Sequence, residues 1–282
     1  MTKSIFITGA ASGIGKATAI RFAREGWNVG LFDINEEGLK EVANEIGHNK
    51  CMYQKLDVTV YEEWVSASKS FSDYTNGSCD LFFNNAGIAN FAGAFEDIQI
   101  DEVHKIIDVN FKGVVNGCRS MLELLKNTKN SMILNTSSVA GLVTTPGISV
   151  YGATKHAVSS LTESLRIEFE RYGVRVSEIN PWFTETPILD AQAVTGNMKS
   201  QLDRNTLYEK TTVYPVEKVV EGIKFVPVLL FVPLAWYLNL HDFISFPQIS
   251  ALLQYGESKS GSMVADLVCP TKALHTVLSC KT

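Results

Sequence analysis

Tyr151 and Lys155 stand four residues apart at the start of the stretch "VYGATKHAVSSLTESLRIEFE", which otherwise has an ordinary amphipathic helical pattern. An α-helix turns once in about 3.6 residues, so this spacing places the phenol and the ammonium on one face. A free tyrosine titrates near about 10, and a nearby positive charge favours the phenolate. The two residues could therefore transfer a proton, although the isolated pattern is more often a packed ring beside a solvated lysine.

A glycine-rich segment, "ITGAASGIGKA", follows the first apolar run and opens a helix-like run. Gly9, Gly13 and Gly15 fall at this turn, where glycine permits close approach of the backbone to a phosphate. The N-terminus of the following helix offers free N–H groups and a partial positive charge. The segment predicts a pyrophosphate site, and the plain alternative is a tight turn.

Asp33 ends the second apolar run, downstream of the glycine-rich segment. A carboxylate about 20 residues beyond such a loop binds the hydroxyls of the adenosine ribose, and it repels a 2'-phosphate. The separation of Asp33 from Gly15 is close to this value, so we expect NAD rather than NADP. Asp33 could instead be a turn residue, and the nearby Lys16 and Arg21 leave some tolerance of NADP open.

The segments that must position these residues alternate between short apolar runs and amphipathic ones. The strand-like runs are "SIFITG", "NVGLFD", "CMYQKLDV", "CDLFFNNAG", "SMILNTSS" and "VRVSEINP", and helix-like runs such as "DEVHKIIDVNFKGVVNGCRSMLELLKN" lie between them. Right-handed crossovers put helices on both faces of a parallel sheet. We expect an α/β fold, a doubly wound, Rossmann-like parallel sheet in a single domain with a C-terminal extension.

The catalytic domain is expected to span residues 1–240, and the extension residues 241–282, partly helical or disordered. Residues 187–212 are polar and weakly periodic, which predicts a cover over the substrate cleft. The most apolar window runs from Phe225 to Leu238 and contains Pro227 and Pro233. A membrane-spanning helix needs about 20 apolar residues, more than this window has, so we interpret the window as a buried strand and helix.

The overall charge and composition narrow the possible partners. A net charge of -5 and a pI near 5.6 give no basic surface for nucleic acid. Five scattered cysteines indicate reduced thiols, and the N-terminal "MTKSIFITGA" lacks a leader pattern, so a cytoplasmic location is expected. The five histidines show no metal-ligand spacing.

Taken together, the motifs resemble those of the short-chain dehydrogenase/reductase family, over about Ser4 to Ile223. The matching motifs are Thr8-Gly9-x-x-x-Gly13-Ile14-Gly15, Asn84-Asn85-Ala86-Gly87, Asn110, Ser138 and Tyr151-x-x-x-Lys155, in the family's order and spacing. The resemblance implies an oxidoreductase that moves a hydride between NAD(H) and a small-molecule alcohol or carbonyl substrate.

The resemblance also assigns catalytic roles. Tyr151 would be the general acid/base, and Lys155 would lower its pKa and bind the nicotinamide ribose. Ser138, which precedes Tyr151 at the family's usual spacing, would hold the substrate oxygen, in preference to its neighbour Ser137. Asn110 would support a water-linked proton relay through Lys155.

The implied cofactor contacts come from most of the strand ends. They are Gly9, Ser12, Gly13, Ile14, Gly15, Asp33, Asp57, Val58, Asn85, Ala86, Gly87, Tyr151, Lys155, Pro181, Thr184 and Thr186. Asp57 and Val58 would contact adenine, although Asp57, like Asn84, could simply cap a turn.

Two departures from the family pattern concern the substrate end. Trp182 stands where the family usually has glycine, either reshaping the pocket or packing in the core. The usual C-terminal "VDGG"-like ending is missing, and an apolar segment replaces it, as in members that act on lipophilic substrates. Residues beyond about Gly256 match no family pattern.

Two other functions remain open from the sequence. One is a cofactor-binding regulatory or scaffold protein of the same fold without turnover. The other is an epimerase or dehydratase of nucleotide sugars, for which the segment before Pro215 is short. The long helices at 100–127 and 151–171 also predict a homodimer or homotetramer, because the family commonly pairs them between subunits.

Overall fold

The protein was analysed as a computed structural model, which describes residues 2–89, 95–143, 147–190 and 213–225. All of these belong to one compact unit, Met1–Leu234. The predicted extension at 241–282, the apolar window after Phe225 and most of the predicted cover, 191–212, lie outside the described residues. The first residues of that cover form a 3-10 turn at Pro187–Asp190.

Six parallel strands form one sheet in the order β3-β2-β1-β4-β5-β6. The strands are β1 Ser4–Thr8, β2 Asn28–Asp33, β3 Cys51–Lys55, β4 Leu81–Asn84, β5 Met132–Thr136 and β6 Arg175–Ile179. All six predicted strands are confirmed, and so is the doubly wound, Rossmann-like sheet.

Apolar side chains cover both faces of this sheet, which explains why its strands are nearly continuous apolar runs. Ile5, Ile7 and Leu31 point into a core on one face. Phe6 and Phe82 point into the other, where the Phe6 ring stacks on Phe32 at a centroid distance of 3.8 Å.

Seven α-helices lie among the described residues. They are α1 Gly13–Arg24, α2 Glu36–Ile46, α3 Tyr61–Thr75, α4 Ile100–Ile107, α5 Gly113–Lys126, α6 Ser149–Glu168 and α7 Val216–Phe225. The single helix expected over 100–127 is interrupted: a π-helical turn, Asp108–Lys112, joins α4 to α5. None of the described helices has the length and hydropathy needed to cross a bilayer.

The order of the strands reverses between β1 and β4, and this is where the sheet offers a crevice at its carboxyl end. The buried Thr8 hydroxyl, at the end of β1, links β1 to the segment after β4 at the base of the crevice. It accepts hydrogen bonds from the backbone N–H groups of Asn85 (2.9 Å) and Ala86 (3.0 Å), just after β4. The predicted site residues therefore gather around this junction.

Candidate active site

The loop between β1 and α1 depends on glycine for its path. Gly9 and Gly13 have φ angles of 66° and 51°, in the left-handed region. A Cβ on Gly15 would lie 2.0 Å from the Gly9 carbonyl oxygen, and one on Gly9 would lie 2.9 Å from Asn85 Nδ2. Only a backbone without side chains can pass here, as the predicted close approach to a phosphate requires.

The N-terminus of α1 opens directly from this loop. Its N-cap, Ser12, forms no capping hydrogen bond with its side chain, and the first turn contains no acidic residue. The partial positive charge of the helix end is thus not neutralised by the helix itself. Ile14 is partly buried and packs against the adjoining core, which anchors the first turn.

Asp33 lies beside the same loop, at the end of β2. Its carboxylate accepts hydrogen bonds from the N–H groups of Ala11 (3.1 Å) and Asn35 (2.9 Å). The two basic residues that left NADP open are paired elsewhere: Lys16 with Glu45 at 3.1 Å and Arg21 with Glu25 at 2.7 Å. Of these three charged groups, Asp33 is therefore the one whose side chain is hydrogen-bonded to the glycine-rich loop.

Asn85 joins three strand ends. Its side-chain amide donates to the Thr8 carbonyl at 3.0 Å and accepts from the Thr136 hydroxyl at 3.2 Å. Gly87 lies close to Asn110 and Lys155, since a Cβ there would be 3.3 Å from Asn110 Oδ1 and 3.5 Å from Lys155 Nζ. Asn84, in contrast, turns into the core and donates to the Val114 carbonyl at 3.0 Å.

Asp57 and Val58 form the turn after β3. Asp57 Oδ1 accepts from both the N–H and the hydroxyl of Thr59, so the carboxylate caps this turn, the alternative open from the sequence. The Val58 side chain is buried against Gly113, and its carbonyl accepts from Trp64 Nε1 at 2.9 Å. Both residues therefore have structural roles in this turn.

The segment after β6 returns to the glycine-rich loop. The Pro181 carbonyl accepts from Val139 N at 3.2 Å, and Thr184 forms an isolated bridge with Tyr214. The Thr186 side chain lies beside Gly13, 3.1 Å from where its Cβ would be. Trp182 is partly exposed and meets the Phe183 ring edge-on at 5.3 Å, so it is not part of the main core.

Tyr151 and Ser138 come together at the mouth of the crevice. Ser138 caps a 3-10 turn with its hydroxyl, and Tyr151 shares a side-chain hydrogen bond with it. Burial raises the pKa of the Tyr151 phenol, while the Ser138 hydrogen bond acts in the opposite direction. The sequence led us to expect a lowered pKa; burial of the phenolate outweighs the neighbouring groups.

Lys155 is only 3% exposed, an unusual position for a lysine. Its Nζ donates to the Thr136 carbonyl at 2.8 Å and lies 5.6 Å from the centre of the Tyr151 ring. Burial lowers the pKa of Lys155 to about 8, and the charge of Glu178 opposes that shift. The predicted convergence of phenol and ammonium on one helix face is thus present.

Asn110 reaches the same place from the π-helical turn. Its buried side-chain amide bonds both backbone groups of Ile88, at 2.8 Å each, and approaches the Thr154 hydroxyl at 3.3 Å. One extra residue per turn changes the direction in which side chains leave a helix, and such turns are frequent at functional sites. The interruption of the predicted helix is what aims Asn110 at the crevice.

The two neighbouring serines differ in their surroundings. Ser137 is 1% exposed, and its hydroxyl bonds the Lys155 carbonyl at 3.0 Å and the Ser159 hydroxyl at 2.9 Å. Ser138, in contrast, shares its hydrogen bond with Tyr151. This geometry favours Ser138 over Ser137 as the group that meets a substrate oxygen.

Two groups at the site were not predicted from the sequence, the Thr136 carbonyl and Glu178. A backbone carbonyl leaves no sequence signal. Glu178 did leave one, because a carboxylate within a predicted strand, "VRVSEINP", is costly to bury unless it has partners.

Comparison with known proteins shows the family to which the chain belongs. Residues 3–195 match the family model described as short chain dehydrogenase. Cyclohexanol dehydrogenase of Acinetobacter sp. (strain SE19) is 35% identical over 189 residues, 66% of this chain and 75% of that protein. Levodione reductase of Leifsonia aquatica is 32% identical over 238 residues, 80% of this chain and 85% of that protein.

A solved structure agrees with these relatives. A short-chain dehydrogenase/reductase from Burkholderia phymatum, in complex with NAD, superposes with a TM-score of 0.76 at 26% identity, covering 90% of this chain and 95% of that one. The six-stranded parallel sheet flanked by helices fits this likeness. The chain belongs to the short-chain dehydrogenase/reductase family and is an oxidoreductase of that family.

Proposed function

We propose that the protein is an NAD(H)-dependent oxidoreductase that interconverts a small apolar alcohol and its carbonyl compound, with Tyr151 as general acid/base. The observation that carries the proposal is the grouping of Tyr151, Ser138 and the buried Lys155 at one crevice. The relatives named for acting on cyclohexanol and levodione support a reaction at a CH–OH centre.

The cofactor fits the residues present. The loop carries left-handed glycines with no room for side chains, and the adjoining helix end carries no acidic residue, both suited to a pyrophosphate. The Asp33 carboxylate would accept hydrogen bonds from both ribose hydroxyls and repel a 2'-phosphate, which favours NAD over NADP. When bound, the nicotinamide supplies or accepts the hydride.

The side chains of the chain itself handle the proton. Ser138 and Tyr151 would hold the substrate oxygen between them, and Tyr151 would take the hydroxyl proton in oxidation or return it in reduction. The Lys155 ammonium, 5.6 Å from the ring centre, favours the phenolate and so acts against the burial that disfavours it. The Asn110 side chain is hydrogen-bonded to the Ile88 backbone, and Asn110 and Lys155 both lie beside Gly87. Asn110 would therefore support the proton relay through Lys155.

The substrate is proposed to be apolar because of the side chains beside the crevice. Leu189 is buried among Ala89, Ile148, Phe183 and Ile188, all from segments at the carboxyl end of the sheet. Ile148 precedes Tyr151 by three residues, so this apolar cluster adjoins the proposed proton donor. A cyclic secondary alcohol or ketone fits such a wall better than a phosphorylated sugar.

The direct test replaces the proposed acid/base. NADH formation is measured with wild type and Tyr151→Phe across cyclohexanol and other secondary alcohols, with a sugar phosphate as the contrasting substrate. Wild type should turn over the cyclic alcohol, and the variant should lose roughly a hundredfold or more of kcat. NADH binding by fluorescence should persist in Tyr151→Phe, which shows that it is folded.

Either of two results would reject the proposal. A folded Tyr151→Phe protein with wild-type turnover would remove Tyr151 from the mechanism. Tight NADH binding without turnover of any alcohol or ketone by wild type would favour the regulatory or scaffold function.

We also propose that two copies pair through the face formed by α4 and α6. A groove of about 360 Å³ lies there, lined by side chains that include Phe95, Val103, Ile107, Phe111, Val150 and Ala157. Helix α4 has acidic residues in its first turn and basic residues in its last, so a two-fold axis that sets α4 antiparallel to its copy pairs opposite charges.

Light scattering after size exclusion tests the pairing. Wild type should be at least dimeric at micromolar concentration, and Ile107→Glu should be monomeric, because a carboxylate would be buried at the contact. Val65→Glu, at an exposed site on α3, is the matched control and should keep the wild-type mass. A monomeric wild type contradicts the proposal.

A further inference from the structure

Three side chains, Ser137, Ser159 and Glu178, form a continuous hydrogen-bonded chain behind Lys155. The Ser137 hydroxyl lies 3.0 Å from the Lys155 carbonyl oxygen and 2.9 Å from the Ser159 hydroxyl, which in turn lies 3.1 Å from Glu178 Oε1. Ser137 follows β5, Ser159 stands one turn after Lys155 on α6, and Glu178 is on β6. This hydrogen-bonded chain therefore connects the edge strand β6 to the backbone of Lys155.

The carboxyl group of Glu178 is incompletely satisfied. Oε1 also accepts from Asn180 Nδ2 at 2.9 Å, but Oε2 is buried and has no hydrogen-bond partner among the described residues. Burial raises the pKa of Glu178, and the Lys155 charge lowers it. A buried carboxyl and a buried ammonium thus stabilise each other's charged form, each against the cost of its own burial.

Counting hydrogens shows what the protonation of Glu178 changes. The three contacts share only two hydroxyl hydrogens, one from each serine. With a carboxylate, Ser137 donates to the Lys155 carbonyl and Ser159 donates to Glu178, so the contact between the two serine hydroxyls has no hydrogen. With a carboxylic acid, Glu178 donates to Ser159, Ser159 to Ser137 and Ser137 to the Lys155 carbonyl. Protonation therefore completes the hydrogen-bonded chain and removes the negative charge behind Lys155.

We propose that Glu178 is a positioning residue for Lys155: its carboxylate, held by Ser159 and Asn180, keeps the Lys155 ammonium charged at the site. This rests on the proposed function, in which the ammonium favours the phenolate of Tyr151. The other charged group that acts on Glu178 is Glu163 on α6, which is ion-paired with Arg166. The charge of Glu178 therefore influences the protonation of Lys155 and, through it, the ionisation of Tyr151 in the proposed proton transfer.

The test compares pH profiles of turnover for wild type, Glu178→Gln and Glu178→Asp. Glutamine keeps the acceptor for Ser159 and Asn180 but removes the charge. The alkaline limb, where Lys155 loses its proton, should move to lower pH by roughly half a unit or more, since a neighbouring charge has been lost. At the alkaline end kcat then falls by about threefold or more, while KM changes little. Aspartate keeps the charge and should restore most of the wild-type profile.

Two further variants separate this role from a structural one. Ser159→Ala breaks the chain but keeps the carboxylate, and should give a smaller displacement of the alkaline limb. Glu168→Gln removes an exposed carboxylate from the same helix and should give none. A Glu178→Gln profile that superimposes on wild type would overturn the proposal.

A measurement without turnover distinguishes this proposal from the proposed function. The folded pKa of Lys155, about 8, lies below its unfolded value, so its contribution to the free energy of unfolding should rise with pH from about 8 upward. Burial raises the pKa of thiols such as Cys79 and Cys118, which therefore act in the opposite direction, and the Lys155 contribution is measured as the difference from the Lys155→Met background. In Glu178→Gln this rise should begin at lower pH. If wild type turns over no alcohol but the onset still moves, the proposed reaction fails and the coupling of Glu178 to Lys155 stands; an onset that does not move refutes the coupling.

Discussion

The strands β1–β3 and the strands β4–β6 end at the same crevice but bring different kinds of group to it. The first half brings backbone: left-handed glycines, an uncapped helix end, and one carboxylate that is held by N–H groups. The second half brings titratable side chains, the buried Lys155 and the partly buried Tyr151 and Glu178, each with its pKa displaced by burial.

The two halves differ in their effect on the stability of the fold. A tight backbone turn with matching glycines is compatible with stability, so damage there should lower stability and cofactor binding together. A buried ammonium is itself destabilising, so its removal should raise stability and abolish function. The halves should therefore respond to mutation with opposite relations between stability and activity.

The largest effect that sharpens this comparison is expected from Lys155→Met. Turnover should fall by roughly a hundredfold or more, because the charge that favours the phenolate is lost. The free energy of unfolding at pH 7 should rise, by on the order of 1 to 3 kcal/mol, because no ammonium has to be buried. Urea unfolding measures it.

The pH dependence gives the sign of the Lys155 contribution. Its folded pKa of about 8 is depressed, so the stability of wild type relative to Lys155→Met should rise from about pH 8 to about pH 10, where the unfolded lysine titrates. The exposed control Lys69→Met should show the same rise relative to Lys155→Met. A Lys155→Met protein less stable than wild type at pH 7 would contradict the comparison.

A smaller effect is expected in the first half, from Gly9→Ala set against Gly26→Ala. Both glycines have positive φ, 66° and 84°, but a Cβ has open space only at Gly26. Each alanine should lose about 1 to 2 kcal/mol of unfolding free energy from its backbone conformation. Only Gly9→Ala should also weaken NADH binding, by roughly tenfold or more, about 1.4 kcal/mol.

Fluorescence titration of NADH and urea unfolding, carried out on both glycine variants, decide this point. Equal NADH affinities in Gly9→Ala and wild type would show that the loop does not need its close approach to Asn85.

The smallest effect is expected from Asp33→Asn. The ratio of kcat/KM with NAD to that with NADP should fall roughly fivefold to tenfold, since about 1 kcal/mol of repulsion from a 2'-phosphate is removed. The free energy of unfolding should fall by about 1 kcal/mol, because Ala11 and Asn35 bond different carboxylate oxygens and asparagine offers an acceptor to only one of them. Glu36→Gln, three residues along the chain, is the control. An unchanged ratio would mean that Asp33 serves the loop alone.

Sequence reasoning predicted the first half more completely than the second. Glycine spacing and a strand-ending aspartate report directly on backbone geometry, and the structure places Gly9, Gly13 and Asp33 around one loop. The choice of Ser138 over Ser137 rested on family spacing alone, and it acquired a physical reason only when Ser137 was found bonded to Lys155 and Ser159.

The second half depends on tertiary contacts that leave little local pattern. The direction of the Tyr151 pKa was predicted wrongly from the Tyr-Lys spacing, because the spacing gives the neighbour but not the depth of burial. Glu178 belongs to a different element from Lys155, well separated in sequence, and meets it only because β6 lies beside β5. The adenine contacts expected of Asp57 and Val58, and the cofactor contacts expected of Pro181, Thr184 and Thr186, stay predictions.

The π-helical turn at Asp108–Lys112 also fixes the rotational phase between α4 and α5. It acts as one residue more than a regular helix would contain, and each residue of an α-helix corresponds to a rotation of about 100°. The π-turn accommodates this residue without rotating α5, so Met121 and Leu125, both fully buried, keep their place in the core. Deletion of one residue there would restore a regular helix and leave α5 in phase, but it would turn Asn110 away from Ile88. A further insertion would rotate α5 by about 100° and carry Met121 and Leu125 out of the core.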